Sequence, residues 1–310
     1  MPEPYKLIYD LLIITGPTAS GKTALAAALA DRLNGEIISA DSRQVYRSMD
    51  IGTGKDYDDY IAGGRRIPCH LIDIANPGYK YNVFEYQHDF LRIYNDMKQR
   101  RVFPVLCGGS GMYIDSIVSG YRMFEVPPDP ELRARLEEKT MEELVEILSS
   151  FKRLHNQTDT DTKKRVIRAI EIEQYNISGN MKQTLLPELK YLIAGVKTGR
   201  ERRRRRISER LRKRFDAGMI DEVRRLIDCG VSEESLIYYG LEYKYITLFL
   251  TGKLDFETMF RELEIAIHQF AKRQMTWFRG MERKGIVINW IDGELPMDEK
   301  VRSVMALLER

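Results

Sequence analysis

The apolar positions of this chain change rhythm along its length. Residues 11–14 are an unbroken apolar run, the pattern of a strand buried on both faces of a parallel sheet. A Gly-rich turn follows, and from Thr23 the chain is rich in Ala and Leu, both strong helix formers. Residues 36–39 predict a second short strand. Residues 102–107 predict a further buried strand, which a pair of glycines turns into a helix. Between these, residues 83–99 have the spacing of an amphipathic helix, with Phe84, Phe90, Leu91 and Tyr94 on one face and His88 on the surface. Residues 50–80, dense in Gly, Asp and Tyr, predict a surface excursion rather than core.

From Pro127-Pro128-Asp129-Pro130 onward the pattern becomes helical, at 130–138, 141–151 and 161–177, with a polar turn His155-Asn156-Gln157-Thr158-Asp159 between the last two. The next strand pattern is at 191–196. Three segments follow from this: residues 1–122 as the first part of an α/β core, 123–189 as a helical insertion, and 190–310 as the return to the core. The return carries an Arg-rich helix, helices near 219–228, 233–250 and 255–280, a strand at 286–290 and a terminal helix.

Composition agrees with that division. A chain of 310 residues suits about two domains, or one with an insertion, and 43% hydrophobic residues support a sizeable core. The net charge of +3 hides an uneven distribution, because residues 200–214 hold ten Lys or Arg. The three cysteines, Cys69, Cys107 and Cys229, are widely spaced and lack a CxxC, so neither a disulfide framework nor a zinc site is expected. No apolar run approaches 18 residues and the N-terminus is not a signal peptide, which points to a cytoplasmic protein without membrane contact.

The chemistry centres on the turn after the first strand. Gly16-Pro17-Thr18-Ala19-Ser20-Gly21-Lys22-Thr23 is a complete phosphate-binding loop, and strand, Gly-rich turn and helix supply its context. Backbone N–H groups and the helix dipole favour an anion there; Lys22 is placed to reach terminal phosphates, and the Thr23 hydroxyl to bind Mg²⁺. The fold class expected is therefore α/β: a P-loop core with a parallel sheet flanked by helices, plus an inserted all-helical domain. Asp41 falls just past the second strand, at the edge where open α/β sheets bind ligands. It can orient or deprotonate a nucleophile, or simply cap the turn at 42–46. A nucleotide hydrolase usually carries an acid at the end of the strand at 102–107; here that strand runs into Cys107-Gly108-Gly109-Ser110. This favours a transferase that grips a polyphosphate over an ATPase or GTPase. Two further stretches are basic. Lys164, Arg165 and Arg168 share a side of the helix at 161–177, as a solvated face or as phosphate contacts. Residues 271–279 interleave Lys272, Arg273 and Arg279 with Met275, Trp277 and Phe278; the apolar three read as core and the basic three as a nucleic-acid groove.

Taken together, these stretches closely resemble the tRNA dimethylallyltransferases, also called tRNA isopentenyltransferases. The matching segments are GPTASGKT (16–23), NGEIISADSRQVY (34–46), MDIGTGK (49–55), HLID (70–73), GGSGMY (108–113), PPDPELR (127–133), HN…KKRVIRAIE (155–171), RISERLRKRFDAGMIDEV (206–223) and AKRQMTWFR (271–279). They span nearly the whole chain in the family's order. The resemblance implies transfer of a dimethylallyl group from dimethylallyl diphosphate to N6 of the adenine 3′ to the anticodon, with Mg²⁺ and release of pyrophosphate. It implies that Thr18 to Thr23 cradle the diphosphate and that Arg210 contacts it. It makes Asp41 the acceptor of a hydrogen bond or proton from the adenine amine, and it assigns the Ser110 hydroxyl a catalytic and tRNA-contacting role. Ser42, Arg43 and Gln44 are implied to touch the target base and its neighbours. Arg133 and Lys164-Arg165-Val166-Ile167-Arg168 are implied to contact tRNA. The expected partners are a tRNA anticodon stem-loop and dimethylallyl diphosphate, acting on a monomer.

The chain departs from the family pattern in places. Ser110 stands where Thr is usual, and Arg43 where Met is commoner. In Ile237-Tyr238-Tyr239-Gly240-Leu241-Glu242 only the glycine is kept, so no tRNA contact carries over to that stretch. Two other activities fit the same loop: an adenylate isopentenyltransferase acting on free AMP, ADP or ATP, and an ATP-binding P-loop phosphotransferase with its acceptor at Asp41.

Overall fold

The apolar runs become neighbouring strands of one sheet. The structure, a computed structural model, describes residues 8–121, 123, 126–154, 158–177 and 186–309. Strands β1 (Leu11–Thr15) and β2 (Gly35–Ser39) lie where the pattern predicts them. The excursion at 50–80 is mostly irregular. It contributes a two-residue hairpin, β3 (Ile61–Ala62) with β4 (Arg65–Arg66), and a short strand β5 (Cys69–His70) that joins the sheet beside β2. With β6 (Phe103–Gly108), β7 (Tyr191–Lys197) and β8 (Asn289–Asp292), the sheet has six parallel strands in the order β5-β2-β6-β1-β7-β8.

Alternation across β1 builds two cores. Leu11 and Ile13 join Phe90 of α2 (Val83–Gln99) on one face; Leu12 and Ile14 meet Leu25 and Leu29 of α1 (Lys22–Arg32) on the other. Each fully buried Leu contributes about 1.5–3 kcal/mol relative to exposure. The α2 helix starts on a capping box between Asn82 and Glu85, and α3 (Gly111–Val118) begins right after β6. The chain forms two compact units, residues 1–121 with 186–310, and residues 122–185. The second unit contains α4 (Pro130–Glu137), α5 (Met141–Phe151) and α6 (Lys163–Ile177) around Leu132, Leu144, Leu148, Val166 and Ile170. His155, Asn156 and Gln157 of the polar turn lie outside the described residues.

The first unit resumes at β7 and runs through α7 (Arg200–Asp216), α8 (Met219–Asp228), α9 (Glu233–Tyr238), α10 (Leu241–Leu250), α11 (Phe256–Arg283) and α12 (Met297–Leu308). Two expectations are corrected here. The single helix at 233–250 is two, because Gly240 (φ 144°) takes a conformation that an L side chain rarely adopts. The strand expected at 286–290 starts three residues later. Ile286 N–H is spent on Met281 O and Gly285 N–H on Glu282 O, a Schellman closure of α11. Among the described residues, no helix is long and apolar enough to cross a membrane.

Glu222 of α8 fixes the MDIGTGK segment beside the sheet edge. Its buried carboxylate accepts the N–H groups of Asp50, Ile51 and Gly52 and the hydroxyl of Tyr243. Glu222→Ala leaves these donors unpaired at about 1–3 kcal/mol each. A thermal melt is expected to show one of the larger single-residue losses of stability; an unchanged melt contradicts this role.

Candidate active site

Three adjacent strands, β2, β6 and β1, end at one edge of the sheet, and the loops after them line a cleft of about 630 Å³ within the first unit. The phosphate loop follows β1. Gly16 has φ 152°, and a Cβ there would sit 2.5 Å from Val196 O, so only glycine lets the loop pass so close to β7. Ser20 is buried with a hydroxyl that has no partner among the described residues. Lys22 and Thr23 open α1 and line the cleft. Burial holds the Lys22 pKa below the usual lysine range; Arg210 adds to that, and Cys107 and Asp41 oppose it.

Arg210 comes from α7, and its guanidinium donates to the Thr18 hydroxyl. Burial, then Arg214 one turn away, pull its pKa down to about 10, against Asp56, Glu242 and Asp41. Two half-buried cations beside a glycine-lined turn and an unpaired hydroxyl are the donor set of a site for a polyanion.

Asp41 follows β2 and lines the same cleft. Its Oδ1 accepts the Arg43 N–H at 2.9 Å, so it does cap the turn, while the residue also lines the cleft. The cap bond leaves Asp41 at the cleft, so the two readings of Asp41 do not exclude each other. Ser110 Oγ accepts the Ser42 N–H at 3.0 Å and lies against the Ser42 hydroxyl at 3.3 Å. Arg43 lines the cleft with its guanidinium over the Tyr238 ring, 5.5 Å from the centroid. Gln44 lines the cleft too, but it is buried and its Nε2 donates to Gly54 O at 3.0 Å. Its amide is committed to the scaffold.

The remaining residues expected to contact tRNA separate into different environments. Arg273 is exposed on α11 and lines the cleft beside Phe270; Lys272 is exposed but does not line it. In the second unit, Lys164 and Arg165 are exposed, and Arg165 pairs with Asp161 at 2.7 Å. Val166 and Ile167 are 0% and 3% exposed; they are core residues that hold α6 in its bundle and present no surface to an RNA. Arg133 forks onto Glu171 at 2.9 and 2.8 Å, and Arg168 donates to Glu171 and to Val126 O. Burial works to raise Glu171, but Arg133, the Asp129 N–H and Arg168 outweigh it and hold the carboxyl below the usual range. Arg133 and Arg168 therefore cross-link the bundle through one carboxylate.

Several cleft residues are not evident from the sequence pattern. Trp277, expected in the core, is 38% exposed and lines the cleft with Phe270 and Arg273. These three positions at i, i+3 and i+7 share a helical face distinct from that of Met275 and Phe278, so helical phase carries the signal. Asp59 also lines the cleft; burial and then Asp56 raise its pKa, with Arg210 and Lys22 opposing. Arg214 and Glu242 line it at 3.6 Å from each other, and burial raises Glu242. Glu242 belongs to the stretch that departs from the family pattern, and its partner is a residue of the Arg-rich helix.

Comparison with known proteins agrees with this geometry. A family model described as IPP transferase matches residues 44–281, and one described as isopentenyl transferase matches residues 9–76. The tRNA dimethylallyltransferase 2 of Bacteroides fragilis is 60% identical over 301 residues, covering 97% of this chain and 98% of that protein. The tRNA dimethylallyltransferase 1 of Parabacteroides distasonis is 60% identical over 300 residues with the same coverage. Among solved structures, the full-length tRNA isopentenylpyrophosphate transferase of Bacillus halodurans superposes with a TM-score of 0.70 at 30% identity, over 96% of this chain and 95% of that one. A eukaryotic dimethylallyltransferase acting on tRNA shares the fold, with a TM-score of 0.69 at 22% identity over 96% of this chain and 77% of that one.

Proposed function

This chain belongs to the tRNA dimethylallyltransferase family and is a prenyltransferase that modifies tRNA by dimethylallyl transfer; we propose that dimethylallyl diphosphate is its donor and N6 of the adenine 3′ to the anticodon its acceptor. The observation that carries this reading is the shared cleft. A cationic phosphate loop with Lys22 and Arg210 forms one wall, and the carboxylate of Asp41 lines the same space.

The reaction follows from that placement. The diphosphate lies against the loop backbone, Lys22 and Arg210, and the allylic carbon projects toward Asp41. The N6 nitrogen forms a bond to that carbon as the carbon–oxygen bond breaks. The electron pair leaves with pyrophosphate, and the N6 proton passes to Asp41 or to water through it. Lys22, Arg210 and the loop N–H groups stabilise the charge that grows on the departing oxygen. The target adenine must leave its stack, at a cost of a few kcal/mol that is smallest in a single-stranded loop.

The loop fits Mg²⁺ bound together with the diphosphate. Thr23 lines the cleft, Ser20 has an unpaired buried hydroxyl, and the described residues contain no cluster of three metal-ligating side chains that would hold an ion alone. Mg²⁺ keeps most of its waters and takes few protein ligands, so Thr23 with diphosphate oxygens would suffice; bound there, it would neutralise leaving-group charge.

On the tRNA side, Lys164 and Arg165 are the exposed cations of α6 and are assigned to backbone phosphates. Lys164→Glu with Arg165→Glu is expected to weaken tRNA binding and leave donor binding unchanged. The slope of log affinity against log salt is expected to flatten by about 0.7 for each phosphate that the variant no longer neutralises. An unchanged slope would make this side of α6 a solvated surface.

The activity is tested by pyrophosphate release from dimethylallyl diphosphate in the presence of tRNA or of AMP. Release with tRNA alone supports the proposal. Release with AMP alone would make the chain an adenylate isopentenyltransferase, and transfer of the γ-phosphate of ATP would make it a phosphotransferase.

A further inference from the structure

Gln274 lies on α11 with 8% of its surface exposed, and both ends of its amide are occupied. Its Oε1 accepts the Thr18 N–H at 2.9 Å, and its Nε2 donates to Gly109 O at 2.9 Å. These partners are 256 and 165 residues away in the chain and belong to the loops that follow the paired strands β1 and β6. Thr18 is part of the phosphate loop, where Arg210 also holds its hydroxyl. Gly109 precedes Ser110, whose N–H donates to Ala40 O at 3.1 Å and whose Oγ accepts the Ser42 N–H at 3.0 Å. The turn held by Gln274 thus grips the residues on both sides of Asp41. The Thr18 N–H is spent on this clamp, which takes one N–H and one acceptor position of an amide that also borders the cleft.

We propose that Gln274 is a positioning residue that fixes the spacing between the phosphate loop and Asp41, and so sets the rate of transfer without setting the affinity for either substrate. The proposal rests on the dimethylallyl-transfer reading above. Displacement at the allylic carbon requires the attacking nitrogen within about 3–3.5 Å of it, and a misplacement of about 1 Å costs on the order of 10²-fold in rate. The donor carbon is located by the loop and the acceptor amine by Asp41. A buried amide bonded to both loops, one of which holds the Asp41 turn through Ser110, leaves them little freedom to shift against each other.

Gln274→Met keeps length and shape and removes both hydrogen bonds. Gln274→Glu keeps an acceptor for the Thr18 N–H and loses the donor to Gly109 O. The experiment is single-turnover transfer at saturating dimethylallyl diphosphate and tRNA, beside binding of inorganic pyrophosphate, binding of tRNA and a thermal melt. Gln274→Met is expected to slow transfer by about 10- to 100-fold with both affinities unchanged, and Gln274→Glu to fall between it and the wild type. Transfer at the wild-type rate overturns the proposal. So does a loss of pyrophosphate affinity as large as the loss of rate, which would make Gln274 part of the binding loop. Where Gln274→Met does not fold, Gln274→Glu is judged by the same two outcomes. A wild-type protein that fails to modify tRNA overturns the function itself, a result separate from either.

Discussion

Asp41→Asn is expected to lose about 10² to 10⁴ in prenyl transfer, the usual contribution of a general base, while the fold and the affinity for the donor survive. The exocyclic amine of adenine is a weak nucleophile because its lone pair is delocalised into the ring. It becomes competent as a carboxylate draws off the proton or polarises the N–H bond. The structure makes this substitution a clean test, because Asp41 also accepts the Arg43 N–H. Asn presents an oxygen in the same place and is an equally good turn residue, so the turn at 42–46 is kept and only the charge is lost. If Asp41 were no more than a cap, transfer and melting temperature would both stay at wild-type levels. Single-turnover transfer to tRNA, measured beside a melt, separates the two outcomes.

Lys22→Ala is expected to lower the transfer rate by roughly two orders of magnitude or more, as removal of one preorganised group facing developing charge does elsewhere. Lys22 sits half-buried at the N-terminus of α1, and its partial desolvation is what lowers its pKa. A charge held partly out of water acts more strongly on a neighbouring anion. A bound diphosphate would replace the missing solvation, and the interaction would strengthen as the bond to carbon breaks. Loss of Lys22 is therefore expected in kcat more than in donor affinity. Turnover near the wild-type rate at saturating donor would mean that the leaving group lies elsewhere.

The parts of the fold that can be read from sequence are those set by local pattern. Residues 11–14 and 102–107 are apolar without interruption because β1 and β6 are buried on both faces, and the phosphate loop is a local motif. The break at Gly240 is not readable, since glycine is tolerated within many helices and only the observed φ shows why it ends one here. Side-chain roles that depend on distant partners are also hidden. Arg133 and Arg168 look like phosphate ligands in sequence, yet Glu171 claims both. Val166 and Ile167 lie within a basic segment but point into its core. Gln274 sits in a stretch of basic and aromatic residues, and nothing local marks it as the link between Thr18 and Gly109. Trp277 differs from these: helical phase alone separates it from Met275 and Phe278.

The central claim, that one cleft brings an allylic diphosphate to an adenine amine of tRNA, is tested most directly by mass analysis of nucleosides. Unmodified tRNA is incubated with the protein, dimethylallyl diphosphate and Mg²⁺, then digested. The account predicts an adenosine heavier by one dimethylallyl group in place of one hydrogen, arising from the 3′ neighbour of the anticodon, and its loss with Asp41→Asn. Unaltered tRNA nucleosides, or a modified adenosine that forms equally well with Asp41→Asn, would contradict it.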